Sequence, residues 1–189
     1  MNALGELITF RFEGTVTNAV LGRFESPLVN DVIWPDPGTA IVGKYTFDTG
    51  ARDTASDPDV GGYRTSLSRN VNSVSIGEFE WFGRGTTISR FRNLYQVGMV
   101  PHLFELASHP DFQSILRRDL FQLTLRKENL FDEPILPLTP PPLDGADQAT
   151  ISVALESRFS VGPNNFDVQI WGSLNSLTVV PEPANTFYV

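Results

Sequence analysis

A two-residue rhythm of apolar and polar side chains is the feature of this sequence that most restricts its fold. It is clearest near the amino terminus, where Ile8, Phe10 and Phe12 alternate with polar residues as far as Thr17. Successive side chains of a β-strand point to opposite faces, so this pattern predicts a strand with one buried and one wet face. The same rhythm predicts strands at residues 41–47, 121–126, 151–156 and 166–175.

Weaker alternation predicts the remaining strands. These lie at residues 63–67, 71–76, 78–82 and 86–100, and Gly98 is a candidate interruption of the last one. One segment instead predicts a short helix, because Ser108 can cap a turn that contains Pro110 and is followed by Phe112, Ile115 and Leu116 at helical spacing.

The strand count and the scarcity of helix predict an all-β protein. Residues 132–147 carry five prolines and are expected to form a long extended connection. Jelly-roll topologies need a connection that leaves the hairpin pattern, so this segment favours a two-layer antiparallel β-sandwich, jelly-roll-like, over residues 1–180. A closed up-and-down barrel fits the strand count nearly as well.

The composition of the chain argues against several classes of function. The net charge of −8 disfavours nucleic acid as a partner. The absence of cysteine excludes disulfides, thiolate metal sites and a cysteine nucleophile. No stretch approaches the roughly 20 apolar residues of a membrane span, and the amino terminus lacks the pattern of a signal peptide. An exported protein with this sequence is therefore expected to be a trimmed, mature-like chain.

The carboxyl end carries a Pro-Glu-Pro motif whose position in the chain is informative. Pro181, Glu182 and Pro183 follow directly on the last predicted strand. In this position they resemble the sorting signal of the PEP-CTERM family of exported bacterial proteins, and residues 12–17, 43–49 and 141–144 are similar to segments of many such proteins. The resemblance implies an exported protein of the cell surface or extracellular matrix, an exosortase-type processing partner, and a sorting-signal remnant at residues 181–189.

An acidic, glycine-rich segment is a candidate metal site. Asp48, Asp53, Asp57 and Asp59 offer oxygen ligands in a flexible stretch, which suits calcium because that ion accepts six to eight oxygens. Aspartate and glycine are also ordinary β-turn residues, and the spacing matches no known calcium motif. Calcium and a plain solvated turn are the two interpretations.

Two histidines are the nearest approach to catalytic chemistry. His102 and His109, with Glu105 and Asp111 nearby, would share a helix face and hold zinc or act as an acid–base pair. Pro110 disturbs that geometry, and neither a zinc-protease nor a nucleophile-elbow motif is present in the sequence. The sequence therefore predicts a protein that is not an enzyme.

The tryptophans are the candidate ligand-binding residues. Trp34, Trp81 and Trp171 could stack on sugar rings or pack in the core. Trp171 lies in the polar phase of its strand, which predicts exposure. Basic residues concentrated in mid-chain could form a positive face for an acidic polysaccharide, although solvated strand ends explain them equally well: Arg84, Arg90, Arg92, Arg117, Arg118, Arg126 and Lys127.

Together these patterns predict a non-enzymatic, exported cell-surface or extracellular-matrix protein that acts in adhesion or matrix assembly. Its expected partners are extracellular polysaccharide or other surface proteins. The alternatives are a carbohydrate-binding β-sandwich module, supported by calcium or without a cofactor, and an extracellular hydrolase with a pair of facing carboxylates.

Overall fold

The computed structural model describes residues 5–21, 35–57, 59–66, 72–106, 109–114, 118–131, 136–158 and 165–180. Within these ranges the chain forms ten β-strands and no helix. The strands are β1 (Leu7–Leu21), β2 (Ala40–Asp48), β3 (Val60–Ser66), β4 (Asn72–Ile76), β5 (Phe79–Phe91), β6 (Leu94–Leu106), β7 (His109–Ser114), β8 (Arg118–Arg126), β9 (Gln148–Arg158) and β10 (Asn165–Val179).

The strands close into an antiparallel barrel. The order β5-β4-β2-β1-β10-β9-β8-β6 returns to its start because β6 also pairs with β5, which gives eight positions around the ring. β3 pairs with β5 beyond the part that β4 covers, and β7 pairs with β6 beyond the part that β8 covers. Closure pairs strand edges that would otherwise be exposed.

The prediction of an all-β antiparallel protein is confirmed, but its arrangement as a jelly-roll sandwich is wrong. The proline-rich connection does not cross between sheets, because it joins β8 and β9, which are direct neighbours with Arg126 opposite Gln148. It is a long hairpin loop whose apolar side chains fold back onto the barrel. Phe131, Leu136 and Leu143 pack against the core, and Pro141 is buried.

The predicted helix is also wrong, because β7 occupies the segment after Ser108. Gln113 lies opposite Glu105 and Ser114 opposite Phe104, so pairing with the preceding strand β6 outweighs the helix signal. Pro110 has no N–H to donate, and it is tolerated because the described strands pair with only one edge of β7. Gly98 does not interrupt its strand either. The break falls at the turn formed by Arg92 and Asn93.

Aromatic side chains fill the interior. Phe10 meets Tyr45 and Phe47 edge-on, with ring centroids 5.5 and 5.3 Å apart. Gly43, opposite Phe12, leaves the space that the phenyl ring takes, since a Cβ there would lie 2.2 Å from the ring. A cavity of about 10 Å³ remains beside Trp81 and Met99, which is close to the space of one water molecule.

Two tyrosine hydroxyls lie within this aromatic interior. Tyr45 and Tyr95 are fully buried, and their hydroxyl oxygens are 2.9 Å apart, within hydrogen-bonding distance. Burial raises the pKa of both phenols, and for Tyr45 the neighbouring Tyr95 adds to the rise. Both side chains therefore remain protonated and neutral in the folded protein.

Among the described strands, the barrel wall is interrupted where β3 gives way to β4. Here the side chain of Asn72 accepts a hydrogen bond from Thr46 N at 2.8 Å and donates to Gly85 O at 2.9 Å. Thr86 Oγ1 donates to Thr46 O at 2.7 Å. Buried side chains thus replace the strand pairing that the backbone of β2 lacks at this point.

Candidate functional site

The tryptophans proposed as ligand-binding residues differ in their exposure to solvent. Trp81 points into the barrel, is 2% exposed and stacks on Phe79 with ring centroids 5.8 Å apart. Trp171 points outward and is 37% exposed, as its phase in the sequence predicts. Trp34 lies outside the described residues. Of the two described indoles, only that of Trp171 is offered to a ligand in solution.

The strand register fixes the position of Trp171. Its neighbours Ile170 and Gly172 face the core, so alternation turns the indole outward. A β-bulge in β1 between Val16 and Asn18 brings Asn18 opposite Trp171, and Thr17 Oγ1 donates a hydrogen bond to Trp171 O at 3.2 Å. On the other side Trp171 lies opposite Ser152.

Two rows of outward side chains cross the strands at this level. Together they form what we call the neutral face, on β1, β10, β9 and β8. The first row contains Asn18, Trp171, Ser152 and Gln122, and the second contains Thr15, Ser173, Thr150 and Thr124. Neighbouring positions in a row are about 4.8 Å apart and the rows are about 7 Å apart, as strand geometry dictates.

The side chains of the neutral face are linked to their surroundings by hydrogen bonds. Asn175 Nδ2 donates to Thr15 Oγ1 at 2.7 Å, and Ser173 Oγ donates to Asn175 Oδ1 at 3.0 Å. Gln148 Nε2 donates to Thr150 Oγ1 at 3.3 Å. These bonds orient hydroxyl groups at the surface while leaving each hydroxyl oxygen further capacity to donate or accept.

The neutral face belongs to an uncharged part of the barrel exterior, because its two rows continue onto β6 and β5 at Gly98 and Thr87 and at Gln96 and Ser89. None of its eight positions carries a charged residue, although the chain contains 14 Lys and Arg and 22 Asp and Glu. Charged residues occupy outward positions elsewhere, at Lys44 and Arg64 and at the start of β1. There Arg11 and Glu13 form an exposed ion pair with N···O 2.9 Å.

Three of the four aspartates of the candidate metal site cap turns with their carboxylates, and Asp59 takes part through its backbone N. Asp48 Oδ1 accepts from Gly50 N, and Asp57 Oδ1 accepts from Asp59 N. Asp53 Oδ1 accepts from both Gly62 N and Ala55 N, and these two bonds lower the pKa of Asp53. In the described part of the chain, no three or more His, Cys, Asp and Glu side chains form a metal-binding group.

The two histidines of the candidate zinc or acid–base site do not lie on a helix. His102 lies on β6 and His109 on β7, two antiparallel strands, rather than on one helix. Glu105 and Asp111 lie on the same two strands. The structure describes only the backbone of these four residues.

The basic residues do not all share one exterior face. Arg90 points inward, is 4% exposed and lies 3.8 Å above the ring of Phe131. Lys127 donates a hydrogen bond to Asp144 O in the β8–β9 loop. Arg84, Arg92 and Arg126 are exposed, whereas the structure describes neither Arg117 nor the side chain of Arg118.

Comparisons with protein-family models, with curated proteins and with solved structures find no match to this chain. Among the described residues, no helix has the length and apolarity needed to cross a membrane. Pro181, Glu182 and Pro183 lie outside the described residues, so the sorting motif stays a prediction.

Sequence reasoning missed the neutral face as a unit. A signal was present, because the outward phases of β8, β9 and β10 at this level hold only Ser, Thr, Gln and one Trp. What the sequence could not supply was the register that aligns these residues into rows.

Proposed function

We propose that this protein is a non-enzymatic, exported protein of the cell surface or extracellular matrix that attaches to polysaccharide through the surface around Trp171. The observation that carries the proposal is the exposure of this indole on a continuous wall of paired strands. The core of the barrel is filled without it, so its large apolar surface is available to a partner.

The chemistry of the surrounding side chains supports binding rather than catalysis. Hydroxyl and amide groups donate and accept hydrogen bonds without changing charge near neutral pH. General acid–base catalysis instead uses groups that titrate close to the working pH. The residues around Trp171 are therefore suited to recognising a polar, hydroxyl-rich surface.

The geometry of the chain end leaves room for an attachment at the carboxyl end. Val179 lies opposite Phe10, and Val180 N donates to Thr9 O at 2.8 Å, so the carboxyl segment leaves the barrel beside the start of β1. An attachment that follows residue 180 would leave the wall around Trp171 accessible. The proposed location at the cell surface or in the matrix rests on the resemblance of the Pro-Glu-Pro ending to exported proteins.

Polysaccharide retention by purified protein tests this proposal. Trp171→Ala should lose retention on matrix polysaccharide, whereas Phe91→Ala should keep it, because Phe91 is 40% exposed but lies at the end of β5 away from the neutral face. Equal retention by both variants would contradict the role of Trp171. Repeating the assay with EDTA tests whether calcium supports binding.

The proposed cellular location needs a separate experiment. The intact gene product should carry a signal peptide and a hydrophobic carboxyl-terminal helix, and fractionation of the native cells should recover the protein at the surface or in the matrix. Recovery in the cytosolic fraction would contradict the exported location.

A further inference from the structure

We infer that the neutral face selects uncharged polysaccharides over acidic ones, with Trp171 as the stacking platform and the flanking hydroxyl and amide groups as hydrogen-bond partners. This inference rests on the proposed function and names its ligand class. It departs from the expectation that basic residues bind an acidic polysaccharide, because Arg90 faces the interior and no cation belongs to the neutral face.

The side chains beside Trp171 match the chemistry of a sugar. Each sugar hydroxyl can both donate and accept a hydrogen bond, and the same is true of Ser152 and Thr150, whereas Ser173 donates its proton to Asn175 and is left to accept. Asn18 and Gln122 provide separate donor and acceptor atoms. A neutral sugar can therefore pair with these groups in either sense without burying a charge, whose desolvation would be costly.

The placement of these groups favours a chain that lies across the strands. From β1 to β8 the first row spans about 14 Å at about 4.8 Å per strand, and the second row runs parallel to it about 7 Å away. The indole stands within the first row, with hydrogen-bonding side chains on both sides. A short stretch of polysaccharide can cover the ring and reach both rows.

Electrostatics supply the discrimination. An acidic polysaccharide approaching this protein meets a net charge of −8. The neutral face itself carries no cation to offset the repulsion. Of the cations beyond its edges, Arg11 is paired with Glu13, and Arg126 lies two residues past Thr124 on β8. Salt screens such repulsion, with a Debye length of about 10 Å at 0.1 M, so discrimination should be strongest at low ionic strength.

The experiment measures binding of the purified chain to neutral and acidic polymers by affinity electrophoresis and calorimetry at low and high salt. The neutral probes are hydroxyethyl cellulose, galactomannan and dextran, and the acidic probes are alginate and hyaluronate. We expect retention by at least one neutral polymer and none by the acidic polymers at low salt. Trp171→Ala should weaken the neutral interaction at least about tenfold, or about 1.4 kcal/mol.

A charge-insertion pair of variants tests the face itself. Ser152→Asp places a carboxylate next to Trp171 and should weaken neutral binding about tenfold or more, because the charge must be desolvated under the ligand. Thr178→Asp adds the same charge on an exposed position of β10 opposite Arg11, outside the neutral face, and should bind as the parent does. Melting temperatures of both variants confirm that they fold.

The outcomes separate the two claims. Binding of acidic but not neutral polymers, lost in Trp171→Ala, overturns the inference and leaves the proposed function standing. Binding of neutral polymers that survives both Trp171→Ala and Ser152→Asp also overturns the inference. Failure to bind any of the polymers overturns the inference and the proposed function together.

Discussion

Two parts of the barrel wall use the same types of polar residue in opposite ways. Where β3 gives way to β4, the buried side chains of Asn72 and Thr86 bond to each other and to backbone groups of Thr46 and Gly85. Along β10, β9 and β8, residues such as Thr150 and Ser173 face outward while the strands pair in a regular ladder.

The difference shows that continuity of the backbone ladder decides what a polar side chain does. An interrupted wall leaves buried N–H and C=O groups that side chains must satisfy, so those side chains serve the fold. A continuous wall needs no such help and leaves its polar side chains to solvent and ligands. Substitutions should therefore affect stability in the first region and binding in the second.

The largest effect on stability is expected from Asn72→Ala. This change removes the acceptor for Thr46 N and the donor to Gly85 O, and it leaves buried backbone groups unsatisfied. The free energy of unfolding should fall by roughly 3 kcal/mol, since each unsatisfied buried group costs about 1–3 kcal/mol. Urea titration measures the change.

Ser73→Ala is the matched control, because Ser73 is the next residue on β4 and is only half-buried. It should change the unfolding free energy by less than about 0.5 kcal/mol. Equal losses in the two variants would show that Asn72 contributes nothing beyond an ordinary strand position.

The sequence predicted the strands well because alternation is a local signal. β1 and β2 appear where the rhythm of Phe10 and Phe12, or of Tyr45 and Phe47, places them, and the exposure of Trp171 follows from its phase. The closure of the ring depends on pairing between strands far apart in the sequence, such as β1 and β10, which no single segment encodes. The helix signal after Ser108 was misleading because β6, the preceding strand, supplies a pairing edge there.

The candidate site was predictable only in part. Trp171 could be identified from the sequence, but Asn18 reaches its place opposite the indole through a β-bulge that alternation does not reveal. Likewise, Asn72 resembles any turn residue until the interruption in the wall is known. Irregularities in the ladder thus determine features that periodicity cannot predict.

The next largest effect is expected at the buried tyrosine pair. Tyr95→Phe leaves the hydroxyl of Tyr45 without its 2.9 Å partner and should cost about 1–2 kcal/mol of unfolding free energy. The double variant Tyr45→Phe with Tyr95→Phe removes both groups and should recover most of that loss. A double variant as unstable as the sum of the single variants would contradict a specific hydroxyl pair.

The same pair predicts loss of stability in alkali. Burial raises the pKa of both phenols above their ordinary value of 10.0, so above about pH 10 the unfolded chain releases protons that the folded chain keeps. Their contribution to stability is complete below that pH and declines as pH rises. Urea titrations at pH 9 and pH 11 should show a smaller decline in the double variant than in the parent.

A smaller effect is expected at the turn capped by Asp53. Hydrogen bonds from Gly62 N and Ala55 N lower the pKa of Asp53 below its ordinary value of 3.8, so its contribution is present above that pH and declines as pH falls. Asp53→Asn should flatten the acid limb of the stability profile slightly. Asp36→Asn is a control on an exposed carboxylate. Identical acid limbs for the Asp53 variant and the parent would contradict the capping role.

The smallest effect should come from a threonine on the neutral face, and it tests the comparison most directly. Thr86→Ala removes the hydroxyl that bonds to Thr46 O and should cost about 1–2 kcal/mol of unfolding free energy. Thr150→Ala deletes the same atoms from a half-exposed site and should change that free energy by less than about 0.5 kcal/mol. Polysaccharide binding should show the reverse order, because only Thr150 lies beside Ser173 on the ligand-facing surface. If both variants lose stability equally, the continuous wall depends on its outward hydroxyls, and the division between structural and ligand-binding polar residues is wrong.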